Sequence, residues 1–116
     1  AHGTHILGPV GRHRGKPLFY GVGNFAFGSG NVRARFSLMA WLEIDPQRKR
    51  IVAAEALPIY TVNLNPMVLF QTRVLVGRQA RRVLRDLIRR SWPYGARLSL
   101  ERNPVRVRLN LAPSKP

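Results

Sequence analysis

Phe36-Ser37-Leu38-Met39-Ala40-Trp41-Leu42-Glu43-Ile44 sets the class of structure this chain adopts. Phe36, Leu38, Ala40, Leu42 and Ile44 alternate with Ser37, Met39, Trp41 and Glu43, the period-2 pattern of a strand with one face against a core. Asp45-Pro46-Gln47-Arg48-Lys49-Arg50 interrupts the pattern with turn residues, and Ile51 to Tyr60 resumes an extended apolar run. The two runs predict a β-hairpin. Pro58 has no N–H to give a ladder, so the second strand is expected to end at a sheet edge.

Toward the carboxyl terminus, residues 61–77 read as a long connection, with Asn63, Asn65 and Pro66 favouring turns and Val74 to Val76 adding a short extended piece. From Arg78 to about Ser91, Ala80, Val83, Leu84, Leu87 and Ile88 recur at helical spacing while Arg78, Arg81, Arg82, Arg85 and Arg89 take the other face. This is an amphipathic helix, stopped by Pro93 and Gly95. Leu98 to Leu100 and Val105 to Leu111 then alternate apolar and basic residues around Asn103-Pro104, which predicts a terminal hairpin. Residues 112–116 are expected to fray.

Toward the amino terminus the glycines crowd together: eight of the ten fall in the first 31 residues. Backbone freedom is concentrated where loops turn tightly or the chain makes close approaches. Pro17 to Phe27 is rich in aromatic and β-branched residues and stops at Gly28-Ser29-Gly30-Asn31, so it reads as a buried strand, with Gly21 and Gly23 marking a bulge or a close backbone approach. Gly11 to Lys16 reads as the turn before it. Phe19, Tyr20, Phe25, Phe27, Phe36 and Trp41 are expected mostly in the core. The order loop, strand, hairpin, helix, hairpin, without an internal repeat, suits an α+β or mixed α/β piece.

The chain has 116 residues and a formal charge of +15, from 20 Lys or Arg against 5 Asp or Glu. At this length one modest core forms, burying roughly 65% of the unfolded surface. A hydrophobic content of 45% exceeds that of a disordered basic tail. Without cysteine, disulfides and thiolate metal sites are excluded. No apolar run approaches the roughly 20 residues of a membrane-spanning helix. Beginning with Ala1 and His2, the chain is expected to be processed or the carboxyl-terminal part of something longer.

Ala1-His2-Gly3-Thr4-His5 places two imidazoles three residues apart across the smallest side chain and a small hydroxyl. Neutral imidazoles are ligands for zinc, manganese or iron, and a glycine between them lets a loop aim both rings at one centre or at adjacent centres. Two ligands are too few for a complete site. Gly21 to Gly28 echoes a dinucleotide-binding loop only superficially, with aromatics where a helix should begin. His13, between two arginines, reads as solvated. Glu43, Asp45, Glu55, Asp86 and Glu101 are scattered, so no paired acid and base is expected.

His2-Gly3-Thr4-His5-Ile6-Leu7 followed by Gly15-Lys16-Pro17-Leu18-Phe19-Tyr20-Gly21-Val22-Gly23-Asn24-Phe25-Ala26-Phe27 resembles the carboxyl-terminal motif region of the bacterial capsule-synthesis (CapA-type, poly-γ-glutamate) proteins, which belong to the calcineurin-like metallophosphoesterases. In that family a Gly-His-x-x-His loop precedes a turn and a Gly-Lys/Arg-Pro-Ile/Leu-Phe-Tyr-Ser-Leu-Gly-Asn-Phe-Val-Phe strand. Ala1 stands where the family has Gly, and Gly21-Val22 where it more often has Ser-Leu. The later strand pair and the Arg-rich helix also look like the family's tail.

The resemblance implies that residues 1–111 are the carboxyl-terminal part of a four-layer α/β/β/α sandwich. It implies that His2 and His5 are metal ligands for a divalent pair of manganese, iron or zinc, and that Asn24 is the catalytic Gly-Asn-Phe asparagine. The family's Asp-x-His, Gly-Asp and Gly-Asn-His motifs have no counterpart in these residues, so the remaining ligands are expected upstream and the piece alone is expected to be inactive. The implied context is capsule or poly-γ-glutamate production, in the cell envelope or cytoplasm, acting on an anionic polymer or a phosphoester. The charge supports a competing reading, a small nucleic-acid-binding domain using Arg81, Arg82, Arg85, Arg89 and Arg90 with Arg102, Arg106 and Arg108. No helix-turn-helix, zinc-finger, RRM or KH signature accompanies those arginines, which disfavours it.

Overall fold

A computed structural model describes residues 1–26, 30–62 and 71–112. Its architecture is α+β: an antiparallel sheet with one helix packed on it, and a small separate hairpin. Strands β3 (Phe36–Asp45) and β4 (Arg50–Tyr60) form the predicted hairpin. In the intervening turn, Asp45 Oδ1 accepts from the backbone N–H groups of Gln47 and Arg48, both at 3.0 Å. The register shifts between Glu43 and Ile44, so a bulge twists the distal end.

On its other edge β4 pairs with β5 (Arg73–Val74) and with β7 (Arg106–Leu109), which pairs in turn with β6 (Leu98–Glu101). The strand runs through Pro58 to Tyr60 as expected, but it lies inside the sheet and not at its edge. Pairing with β7 stops at Ala56 and pairing with β5 starts at Ile59, so Pro58 sits in the gap, where its carbonyl accepts from Leu75 N–H at 2.8 Å. A missing N–H costs nothing at a seam that needs only an acceptor.

Helix α1 (Gly77–Ser91) buries Ala80, Val83, Leu84 and Leu87 as its spacing predicts. Gly95, left-handed at φ 77°, donates to the Trp92 carbonyl and ends the helical segment. Leu84 and Leu87 join Leu38, Ala54, Ala56, Val107 and Leu109 in one core cluster. Each such leucine contributes about 1.5–3 kcal/mol. A helix of this length covers only about 22 Å. The distal half of the β3–β4 hairpin extends past it, leaving Leu42 and Ile44 exposed although their alternation is that of a core strand, while Trp41, in the opposite phase, is exposed on the other face.

The front of the chain departs most from expectation. Instead of a turn over 11–16 and a strand over 17–27, β1 (Val10–His13) and β2 (Lys16–Phe19) form a tight hairpin. Its two-residue turn is Arg14-Gly15, both left-handed, at φ 49° and 75°. Beyond Phe19 the same antiparallel register continues, Tyr20 N–H donating to the Pro9 carbonyl and Leu7 bridging Val22, and Gly21 and Gly23 are close-approach points, as their positions suggested. A Cβ on Gly21 would lie 2.8 Å from Thr4 Oγ1 and 2.9 Å from the Ile6 carbonyl oxygen. Tyr20 and Phe25 are exposed, and with Trp41 they correct the expected aromatic core; Phe19 packs on it as expected. Phe27, Asn63, Asn65, Pro66 and residues 113–116 of the expected tail lie outside the described residues.

Candidate metal centre

The segment from Ala1 to Leu7 folds back on residues 19–22. Ala1 N–H donates to the Phe19 carbonyl, Val22 N–H to the Ala1 carbonyl and Gly8 N–H to the Gly21 carbonyl. Val22 then passes the connection on, its carbonyl accepting from Leu38 N–H at 2.8 Å on the open edge of β3. The histidine loop is thereby fixed to the main sheet through a single residue of backbone. Gly3, at φ 100°, and His5, at φ 58°, make the loop turn sharply enough to bring the second ring inward. A left-handed non-glycine residue costs about 1–2 kcal/mol, so His5 is held there by its contacts.

Asn24 is one such contact. His5 Nδ1 donates to Asn24 Oδ1 at 2.8 Å, and Asn24 is buried. An amide oxygen only accepts, so Nδ1 carries a proton, and the neutral tautomer compatible with this bond has its lone pair on Nε2. Histidines that bind metals are commonly oriented in this way, by an acceptor on the other ring nitrogen. His2, His5 and Asn24 line one open cleft of about 520 Å³, together with Leu38, Met39 and Ala40 of β3. The structure thus brings together all three residues singled out from the sequence.

Met39 was not among them. It belongs to the polar-phase set of β3, and that alternation is the signal that places it on the face away from the helix. His13 stands at the far end of β1 and does not line the cleft. Among the described residues no group of three or more His, Asp or Glu converges. His2 and His5 are the two imidazoles at the cleft, fewer than the three protein ligands that a complete metal site usually takes.

Three of the five carboxylates make ion pairs among the described residues. Asp86 binds Arg89 and Arg90 on the helix, Glu55 binds Arg106 at 2.7 Å across the β4–β7 pairing, and Asp45 holds its turn and Arg48. On the outer face of α1, Arg78, Arg81, Arg82 and Arg85 have no carboxylate within ion-pair distance among the described residues. No helix of the described residues is long and apolar enough to cross a membrane. No protein-family model matches the chain, and no curated protein matches it.

Proposed function

We propose that this chain is the carboxyl-terminal part of a capsule-synthesis-type metallophosphoesterase and that His2 and His5 are its contribution to a divalent metal pair. The observation that carries the proposal is the His5–Asn24 hydrogen bond. The His-x-x-His loop and the Gly-Asn-Phe segment are separate halves of the resemblance, 19 residues apart, and they meet at one imidazole. Such a pair of metals, when bound, generates a nucleophilic water and stabilises charge on a transferring phosphoryl group.

In this reading, His2 and His5 each present a neutral ring nitrogen to the metals. Asn24 keeps the His5 proton on Nδ1 and the ring in place. The exposed arginines raise the local concentration of an anionic polymer or phosphoester. The four-layer sandwich is part of the same proposal, with the open edge of β3 continuing into it.

The coding sequence upstream of Ala1 tests the reading. It should encode Asp-x-His, Gly-Asp and Gly-Asn-His motifs, and the full chain should hydrolyse a generic phosphoester with manganese and lose that activity in His5→Ala. Absence of those motifs, or activity indifferent to His5, overturns it. The bare outer face of α1 favours a second reading, binding to a nucleic-acid backbone. Strong binding of random duplex DNA with a steep salt dependence and no metal requirement would select that instead.

A further inference from the structure

Strands β4 and β7 pair only at Glu55 with Arg108 and Ala56 with Val107. Beyond Ala54 the β3–β4 hairpin and the β6–β7 hairpin part, and a cleft of about 1000 Å³ opens between them, closed at one side by the β1–β2 turn. It shares no residue with the imidazole cleft. Its size is that of pockets that enclose small organic ligands.

The lining is chemically one-sided. Arg14, Lys16, Lys49, Arg50, Arg97 and Arg108 border it, and none of the five carboxylates does. Three hairpin elements, distant in sequence, deliver these cations to one opening. Between them lies an apolar floor of the partly exposed Ile51, Leu98 and Leu111, with the core residue Leu109 also lining it. Arg97 is already oriented: its guanidinium lies 3.4 Å from the centre of the Trp92 ring and bonds the Trp92 carbonyl. The other five cations have no ion-pair partner among the described residues.

Like charges gathered at a low-dielectric wall repel one another and draw in an anion. Water and small ions alone would leave the floor wetted, whereas a hydrocarbon chain covers it and removes its apolar surface from water. Four of the six cations are arginines, whose planar forks match phosphate oxygens. We infer that this cleft binds a phosphorylated amphiphile, its phosphate held at the Arg and Lys rim and its alkyl chain laid along Ile51, Leu98 and Leu111. The inference stands apart from the metal-site reading, since neither cleft depends on the other.

The probe is decyl phosphate, titrated below its micelle concentration and followed by NMR shifts of the Ile51, Leu98, Leu109 and Leu111 methyl groups. Inorganic phosphate and neutral decyl maltoside are the comparators. Decyl phosphate should bind at least about tenfold more tightly than either, because head and tail both contribute. Lys16→Glu with Arg50→Glu should weaken it about tenfold or more, while Arg82→Glu with Arg85→Glu, the same change of net charge on the helix, leaves it within about twofold. All four side chains are exposed, so both variants should keep the wild-type fold by circular dichroism.

Equal weakening by both variants, equal binding of inorganic phosphate or of the neutral amphiphile, or methyl shifts elsewhere would overturn the inference. So would displacement of decyl phosphate by duplex DNA at equal phosphate concentration. Phosphatidylglycerol vesicles distinguish the source. Vesicle binding lost in the rim variant supports a bilayer lipid, and decyl phosphate binding without vesicle binding supports a free lipid phosphate.

Discussion

Gly23 lies flat against Ser37: a Cβ on Gly23 would come within 2.8 Å of Ser37 Cβ and overlap its hydroxyl. Ser37 is fully buried and its hydroxyl meets Thr61 Oγ1 at 3.3 Å, while Thr61 Oγ1 donates to the Ala34 carbonyl at 2.7 Å. The segment that carries Asn24 is therefore seated on a buried pair of hydroxyls at the start of β3. Gly23 also adopts φ 79°, where a side chain is strained. Gly23→Ala is expected to cost about 2–4 kcal/mol, from backbone strain and overpacking together. Urea denaturation measures it, and a midpoint equal to wild type would show that the segment is not seated this way.

Ser91 ties the small hairpin to the helix. Its fully buried hydroxyl accepts from Val10 N–H at 2.9 Å, 81 residues away in the chain. Ser91→Ala leaves a buried donor unsatisfied and should destabilise by about 1–3 kcal/mol. Hydrogen exchange at the Val10 amide should accelerate in this variant beyond what the global loss explains; an unchanged rate contradicts the contact.

Leu84→Ala empties the centre of the core and should cost about 2–5 kcal/mol. Ile44→Ala, at the exposed end of β3, should stay within about 0.5 kcal/mol of wild type. Comparable losses in both would mean that the distal hairpin is covered in solution.

The Glu55–Arg106 pair crosses the short β4–β7 pairing with each side chain about a quarter exposed. A double-mutant cycle with Glu55→Gln and Arg106→Gln should give a coupling of about 0.5–1 kcal/mol that shrinks with added salt. A coupling indistinguishable from zero at low salt would remove the pair from the account of how the two hairpins are joined.

The elements with strong periodicity were legible from sequence. The β3–β4 hairpin, the buried face of α1, its stop at Gly95 and the β6–β7 hairpin follow from alternation, helical spacing and turn residues, all of which are local. The front of the chain was legible only in part: Gly21 and Gly23 read as close-approach points and are, but the β1–β2 hairpin was missed, and the partners Thr4, Ile6 and Ser37 are ones that only the fold brings near. The exposure of Leu42 and Ile44 has a similar origin: alternation says which residues share a face, and the reach of α1 decides how much of it is covered. His2, His5 and Asn24 were identifiable as residue types and by resemblance, but their meeting at one cleft depends on the backbone link from Val22 to Leu38.

Substoichiometric manganese added to the chain, with the three histidine ring signals followed by proton NMR, tests the central claim most directly. Paramagnetic broadening reports even weak binding, and His13 serves as the internal control at the far end of β1. The account predicts that the His2 and His5 ring signals vanish first, that His13 persists, and that Asn24→Ala lessens the effect at His5. Broadening of all three rings in parallel, or of His13 ahead of the others, would contradict it.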